Sequence, residues 1–258
     1  MVIEPQELVE LDVLASQPSG ALVGRDARGK IFAAGPSDAC GQCEICRRGG
    51  AAVCPALRSR DVGPRVAVSA RWAVELADGL ELPLPAAAAV GGDVATAYTL
   101  YARTGLGPRD PVAITGANAV ARFLVEILRA KGLVPIVVSD DPSWCAFVAS
   151  RGAVAVTFDR VGEALVAQGM GARPLRVIAT GDVTTAFALA GPRATLTLLG
   201  SSGPIPGELA AREVTIIGVA GPHPDLITEA AALCARGQLD LIGGVGDGPT
   251  QARVTMRA

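Results

Sequence analysis

Short apolar runs alternate with amphipathic segments along the second half of the chain. From residue 107 onward, six apolar runs have strand length: DPVAITG, VPIVVSDD, AVAVTF, LRVIAT, ATLTLLG and EVTIIGVAG. Between or after them, helices are predicted at NAVARFLVEILRAKG, from about Ser143 to Arg151, and at VGEALVAQG, TTAFALAG and LITEAAALCARG. Strands that alternate with helices indicate βαβ units and a parallel sheet. The strands are nearly continuous apolar runs, as a sheet covered on both faces requires.

The first part of the chain has a weaker pattern. We expect irregular structure over residues 1–39, with turns at 17–20 and 35–38, where Gly, Pro and Ser cluster. VGPRVAVSARWAVEL alternates apolar and polar positions and predicts one or two short strands. A helix is predicted from about Ala86 to Arg103. The fold class is therefore α/β, a doubly wound parallel sheet preceded by a smaller β-rich portion.

Composition and charge exclude several classes of protein. The 23 Lys and Arg against 25 Asp and Glu give a net charge of −2, whereas binding nucleic acid through its phosphates needs a basic surplus. No apolar run reaches the roughly 18 residues of a membrane span. The N-terminal stretch MVIEPQELVELDVLASQ has no apolar signal core. We therefore expect a cytoplasmic protein that binds neither nucleic acid nor a membrane.

Four of the six cysteines lie within fifteen residues, in CGQCEICRRGGAAVC. They are spaced C-x2-C-x2-C-x7-C, at Cys40, Cys43, Cys46 and Cys54. A structural zinc takes four soft ligands in a tetrahedron, and C-x2-C turns supply thiolates in pairs. A disulfide framework would need an oxidising compartment, which the N-terminus does not indicate. The motif predicts a zinc lobe with no open position for a water or substrate.

The remaining cysteines and the single histidine are isolated from one another in the sequence. Cys145 and Cys234 lie in predicted helices, and we expect both to be small buried side chains. The only histidine, His223, lies in a Gly-Pro-His-Pro loop and is expected at the surface rather than as a catalytic base.

The turn after the first strand of the sheet resembles a dinucleotide-binding fingerprint. That fingerprint is G-x-G-x-x-G/A between a strand and a helix, and here it is Gly116-Ala117-Asn118-Ala119-Val120-Ala121. Gly116 and Ala121 match, whereas Asn118 replaces the second glycine, where the backbone approaches the pyrophosphate closely. The Asn118 side chain either occupies space that the phosphate uses or donates a hydrogen bond to it, and both alternatives remain open.

An acidic residue about 20 positions further on binds the adenosine ribose in this kind of fold. The second strand ends Val137-Val138-Ser139-Asp140-Asp141, which places Ser139 directly after the apolar run and Asp140 one step later. No Arg or Lys follows to neutralise a 2′-phosphate. The sequence therefore favours NAD over NADP.

The combination of a cysteine lobe, a GDVATAY helix and this turn resembles the zinc-dependent medium-chain alcohol dehydrogenase family. CGQCEICRRGGAAVCPA is similar to its structural zinc lobe, and GDVATAYTLYARTGLGPRDPVAITGANAVA to its interdomain helix and first cofactor-binding strand. VIATGDVTTAFALAGPRATLTLLGSSG resembles the strands that border the nicotinamide. The resemblance covers about residues 20–258. Several stretches are nearest to the branch that oxidises 6-hydroxycyclohex-1-ene-1-carbonyl-CoA.

This resemblance implies a division into domains and a set of cofactor contacts. It implies a reduced GroES-like domain over 1–85 with the zinc lobe at 40–54, a Rossmann-type domain over 86–245, and a last strand at 246–258 that returns to the first domain. It implies cofactor contacts from Gly116, Asn118, Ala121, Ser139 and Asp140, and from Thr180 and Gly200 at the ends of later strands.

The chain also departs from the family. The N-terminal ligands of the catalytic zinc have no counterpart, so we expect no catalytic zinc. Asp93 stands near the third ligand position, but one carboxylate cannot hold a metal, and we expect it to cap the following helix. Tyr98 and Thr96 are the polar groups nearest the position of the family's active cleft. Each side chain either relays a proton or packs as an ordinary helix residue.

Two functions remain open at this point. The first is a divergent oxidoreductase that binds NAD(H) and a small-molecule substrate without catalytic zinc. The second is a non-catalytic module for binding or assembly. Family members commonly associate through the strand near EVTIIG, so the resemblance implies a homodimer or pairing with a dehydrogenase subunit.

Overall fold

The computed structural model describes residues 7–48, 50–76, 83–169, 171, 173–200, 204–240 and 255–256. These residues fall into two compact units. The first unit holds the described residues of Met1–Tyr98, Gly221–Asp247 and Gln251–Ala258, and the second holds those of Thr99–Ala220. No helix in these parts of the chain is long and apolar enough to span a membrane.

The elements follow one another in this order. The strands are β1 (Leu8–Ser16), β2 (Leu22–Arg25), β3 (Ile31–Ala34), β4 (Ser37–Asp38), β5 (Arg58–Ser59), β6 (Arg65–Ser69), β7 (Ala73–Glu75), β8 (Val112–Thr115), β9 (Ile136–Val138), β10 (Val154–Val156), β11 (Arg176–Ala179), β12 (Thr195–Leu199), β13 (Thr215–Val219) and β14 (Thr255–Met256). The helices are α1 (Glu44–Arg47), α2 (Leu84–Ala89), α3 (Ala95–Thr104), α4 (Ala119–Ala130), α5 (Pro142–Ser150), α6 (Val161–Ala167), α7 (Val183–Leu189), α8 (Glu208–Ala211) and α9 (Pro224–Ala235).

The first unit contains an antiparallel sheet in the order β14-β1-β2-β3-β7, with β6 also paired to β1. The prediction of irregular structure over residues 1–39 is therefore wrong. The segment from Leu8 to Ala34 forms three strands, and side chains such as Leu11, Leu22 and Phe32 build a core with β6. Of the predicted last strand at 246–258, β14 is described and pairs with β1, and the rest lies outside the described residues.

The predicted helix from Ala86 to Arg103 is observed, with an irregularity in its middle. Helices α2 and α3 are joined by one wide π-turn at Val90–Val94. The two glycines of this turn leave room for neighbouring strands. A Cβ at Gly91 would collide with the Ala34 carbonyl, and a Cβ at Gly92 with the Gln17 side chain. The Gly-Gly pair thus lets the helix lie directly against β3 and the turn after β1.

The second unit confirms the predicted doubly wound sheet. Six parallel strands lie in the order β10-β9-β8-β11-β12-β13. The chain runs outward from β8 to one edge, then returns to β11 on its other side and continues to the opposite edge. This is the strand order of the Rossmann fold, in which ligands bind outside the carboxyl ends of the two strands at the reversal.

Candidate functional site

The four clustered cysteines come together as the sequence predicts. Their Sγ atoms all lie within 4.8 Å of one another. The Cys40–Cys46 and Cys43–Cys54 separations are both 3.9 Å, and the Cys40–Cys54 separation is 3.5 Å. A tetrahedral ZnS4 site with Zn–S bonds of about 2.3 Å has sulfur atoms about 3.8 Å apart. The cluster therefore fits a structural zinc.

The surrounding backbone prepares these sulfurs for a cation. Backbone N–H groups donate to sulfur at Cys40, Cys43 and Cys54, over 3.3–3.5 Å. The N–H groups of Gln42 and Cys43 lower the pKa of Cys40 to about 6. Burial raises the pKa of Cys46 to about 12, an effect that a divalent cation reverses because a coordinating thiol loses its proton.

One aromatic side chain anchors the lobe. Trp72 is only 1% exposed and packs with the buried cysteines. Its indole N–H donates to the Ala39 carbonyl at 2.8 Å, which fixes the residue directly before Cys40. Arg71 lies over the Trp72 ring and donates to the Gly41 carbonyl at 2.9 Å. The lobe therefore has its own small core in addition to the thiol cluster.

A second candidate site is a cleft in the parallel sheet unit. It has a volume of about 200 Å³ and is lined by residues that follow β8, β9 and β11, among them Gly116, Ser139, Asp140 and Asp182. These strands include the two at the chain reversal, where ligands of this fold bind. No Lys, Arg or His stands among the described residues that line the cleft.

The glycine turn at this cleft shows which groups the Asn118 side chain contacts. Gly116 has a φ of +104°, and a Cβ there would come within 2.5 Å of Thr180 Oγ1. The backbone of Asn118 is extended, and its Oδ1 accepts a 2.9 Å hydrogen bond from the N–H of Ala121 as the cap of α4. Its Nδ2 donates to the Thr180 carbonyl at 2.8 Å. In this structure the amide is therefore engaged by the protein itself.

The other predicted cofactor residues differ in whether they line the cleft. Ser139 and exposed Asp140 line it. Ala121 is buried, and its N–H donates to Asn118 Oδ1. Thr180 is also buried, and its hydroxyl donates to the Thr115 carbonyl at 3.1 Å. Gly200 lies at the end of β12 with a φ of +53° and is not among the described residues that line the cleft.

The sequence analysis did not identify Asp182 as part of this site. Asp182 follows β11 and caps α7, accepting a hydrogen bond from the Thr185 N–H at 3.1 Å. The Thr115 hydroxyl donates to the Asp182 carbonyl at 2.6 Å. The available signal was its position: like Gly116 and Ser139, it comes shortly after a buried strand, and the carboxyl ends of parallel strands share one edge.

The expectation that Asp93 caps a helix is wrong. The helical path is continuous from α2 through the π-turn into α3, so Asp93 has no helix N-terminus to cap. Its carboxylate accepts a 2.8 Å hydrogen bond from Gln17 Nε2. Burial raises the pKa of Asp93, and the Gln17 hydrogen bond opposes this only in part. The hydroxyl of buried Thr96 donates to the Gly92 carbonyl at 2.9 Å, and Tyr98 is also buried.

The two remaining cysteines and His223 differ in how deeply they are buried. Cys234 is buried as predicted, whereas Cys145 is only half-buried and donates its S–H to the Ser139 carbonyl at 3.3 Å. Burial, followed by the charges of Asp141 and Asp140, raises the pKa of Cys145 and so disfavours a thiolate. His223, which was predicted at the surface, is partly buried just before α9, with a side chain that is 14% exposed.

Solved structures share this architecture. No protein-family model matches the chain. The alcohol dehydrogenase TADH from Thermus sp. ATN1 is similar, with a TM-score of 0.81 and 18% identity over 95% of this chain and 86% of that one. A short chain alcohol dehydrogenase from E. coli CFT073, complexed with cofactor NADH, gives 0.77 and 18% over 91% and 82%. A cobalt and zinc bound thermostable alcohol dehydrogenase from Pyrobaculum aerophilum gives 0.75 and 18% over 90% and 82%.

These likenesses establish the fold. The chain has the fold of zinc-binding alcohol dehydrogenases, as the cysteine lobe and the glycine turn indicated. The narrower resemblance to the 6-hydroxycyclohex-1-ene-1-carbonyl-CoA branch stays a prediction.

Proposed function

We propose that this protein is an alcohol dehydrogenase-like oxidoreductase that binds NAD(H) and holds a structural zinc. The observation that carries the proposal is the cleft at the chain reversal of the parallel sheet, lined by the Gly116 turn and by Asp140. A neighbour of the same fold was solved with NADH. The fold places ligands at this reversal, and the residues there fit a nucleotide.

The cleft fits one half of the cofactor. Its volume of about 200 Å³ is smaller than the roughly 300–1,000 Å³ of pockets for drug-sized ligands. We therefore assign it to the adenosine portion. Exposed Asp140 is placed to accept hydrogen bonds from the ribose diol, and the acidic, cation-free lining opposes a 2′-phosphate. This favours NAD(H) over NADP(H).

When bound, NAD(H) supplies or accepts a hydride, and the protein's part is to hold and orient it. Gly116 keeps the turn clear of a side chain next to Thr180, and the N-terminus of α4 follows that turn. The Thr96 hydroxyl is engaged within its own helix, which favours packing over proton relay.

We assign the zinc a structural role. Cysteines supply all four ligands, which leaves no position for a substrate. Among the described residues, this cluster is the only group of three or more side chains arranged to hold a metal ion. We further propose that the protein holds no catalytic zinc, since its only histidine is His223.

Titration of the zinc-loaded protein with NADH, and separately with NADPH, tests the proposal. We expect NADH to bind with a Kd on the order of micromolar, AMP to compete with it, and NADPH to bind more weakly. Metal analysis should give one zinc per chain. If neither dinucleotide binds at millimolar concentration, the redox assignment is wrong, and the alternative of a non-catalytic binding or assembly module gains support.

We further propose a homodimer formed through β13, and a cytoplasmic location. Strand β13 is the last strand in the order of its sheet, so one of its edges has no neighbouring strand within the described part of the chain. Such an edge offers main-chain N–H and carbonyl groups for pairing with a second copy. The N–H of Thr215 donates to Ala194 on the β12 side, so the alternate residue Gly218 presents its N–H to the outer edge. Light scattering of the wild type and of Gly218→Pro, which removes that edge N–H, tests the dimer. A monomeric wild type contradicts it.

A further inference from the structure

The turn after β8 and the turn after β11 are tied together by side chains. Asn118 Nδ2, from the first turn, donates to the Thr180 carbonyl at 2.8 Å. Thr180 Oγ1 donates to the Thr115 carbonyl at 3.1 Å, and Thr115 Oγ1 donates to the Asp182 carbonyl at 2.6 Å. Asn118 thus joins the two turns directly, and two further side-chain bonds join Thr115 at the end of β8 to the turn after β11, in addition to the ladder between β8 and β11.

These two turns form walls of the same cleft. Gly116 and Ala117 line it from the first turn, and Asp182 and Thr185 from the second. The turns are also in close contact, since a Cβ on Gly116 would lie 2.5 Å from Thr180 Oγ1. The side-chain bonds between these segments therefore hold the two cleft walls against each other, together with the strand ladder.

Asn118 has a special place in this arrangement. Its amide nitrogen is bound to the second turn, while its oxygen caps α4 by accepting the Ala121 N–H at 2.9 Å. Both ends of the side chain are thus engaged at once. A glycine at this position has no side chain and would make neither bond.

We propose that Asn118 is a positioning residue that sets the geometry of the nucleotide cleft by joining its two turns. This inference rests on the proposed NAD(H) binding and adds a role for this chain's own residue. On this view the asparagine is an alternative to the second glycine, and cofactor affinity depends on it.

A joining role and a purely obstructing role for Asn118 predict changes of opposite sign in NADH affinity. If Asn118 were only an obstacle to the phosphate, Asn118→Gly would restore the fingerprint and tighten NADH binding. If Asn118 joins the turns, the same change weakens binding, and we expect a roughly tenfold higher Kd because the joining bond and the cap are both lost. Asn118→Ser separates the two effects, since serine can still cap α4 but is too short to reach Thr180.

The experiment measures NADH affinity and thermal stability of the wild type, Asn118→Gly, Asn118→Ser and Thr115→Val. The Thr115→Val change removes a second bond between the turns and keeps the side-chain shape. We expect all three variants to bind NADH more weakly, and Asn118→Ser and Thr115→Val to do so with far-UV circular dichroism unchanged. Asn118→Gly or Asn118→Ser binding NADH as tightly as the wild type, or more tightly, would overturn the proposal.

A spectroscopic readout accompanies the affinities. Asn118 is the only asparagine in the chain, so selective ¹⁵N-asparagine labelling gives one side-chain amide signal. We expect its Nδ2 protons to exchange slowly with solvent in the wild type, both with and without NADH, and fast exchange would contradict the joining bond. A wild type that binds no NADH would overturn the proposed function and this role together, whereas tight binding by Asn118→Gly overturns this role alone.

Discussion

The side-chain amide of Gln17 donates a 2.8 Å hydrogen bond to the carboxylate of Asp93, which lies 76 residues away in the sequence. Gln17 is buried, and its Oε1 has no hydrogen-bond partner among the described residues. A protonated Asp93 carboxyl group, or an amide in its place, offers a donor to that oxygen. Burial of Asp93 raises its pKa, which agrees with this complementary arrangement.

We predict that Asp93→Asn stabilises the protein at neutral pH. The folded-state pKa of Asp93 lies above the ordinary value of 3.8. As pH rises from that value, the unfolded chain loses the proton first, so the wild-type free energy of unfolding falls until the pH passes the folded-state pKa. The fall amounts to about 1.4 kcal/mol for every pH unit that separates the folded and unfolded pKa values. Urea denaturation from pH 4 to 8 should show an advantage for the variant that grows with pH and then levels off.

The matched control for this prediction is Asp61→Asn, because Asp61 is exposed. It removes the same charge from an exposed position, where we expect stability to change by less than about 0.5 kcal/mol. An Asp93→Asn variant whose stability runs parallel to the wild type at every pH would contradict the raised pKa.

We predict that replacing Cys46 by Ser abolishes zinc binding. Cys46 is buried in the cluster, and three thiolates cannot close a structural tetrahedron. Because zinc binding contributes to folding, Tm should fall by at least about 5 °C. Metal analysis and calorimetry measure the two effects. Cys145→Ser, outside the cluster, should retain one zinc per chain and a near wild-type Tm, and equal zinc loss in both variants would argue against the assignment.

The sequence predicted those features that depend on neighbouring residues. The strands and helices from β8 to α9 follow from local apolar periodicity, and the zinc ligands from spacing within fifteen residues. The strands before residue 39 were missed because they are short and interrupted by turn residues, with a register shift between Val13 and Ala15 in β1. The outer partners of β1 and β3 are β6 and β7, which lie further along the chain, and β2 lies between β1 and β3.

The details of the candidate site depend on contacts that no local pattern shows. Asn118 could be located in the turn from the sequence, but its partner Thr180 is 62 residues away. Asp93 was predicted to cap the helix that follows it, whereas Gly91 and Gly92 before it make room for Ala34 and Gln17. In both cases tertiary packing decides what a polar side chain does.

We predict that Glu126→Gln destabilises the protein strongly. Glu126 is buried on α4, where its carboxylate pairs with Arg122 at 3.3 Å and with Arg151 at 2.5 Å. Removing the charge leaves two largely buried guanidinium groups without that carboxylate, which costs about 3–5 kcal/mol for buried pairs. Urea denaturation measures the loss. Glu163→Gln, which breaks an exposed pair with Arg160, should cost less than about 1 kcal/mol, and similar losses in both variants would contradict the role of burial.

Asp140 should determine the choice between NADH and NADPH. It is exposed at the end of β9 and lines the cleft, whose described lining contains no cation. In Asp140→Asn the carboxylate no longer accepts from the ribose diol or repels a 2′-phosphate, so we expect NADH affinity to fall roughly tenfold, about 1.4 kcal/mol, and the preference over NADPH to shrink. Calorimetric titration of both cofactors measures the two Kd values. Glu163→Gln removes the same charge outside the cleft and should leave their ratio unchanged, so an unchanged ratio in Asp140→Asn as well would show that this carboxylate does not select the cofactor.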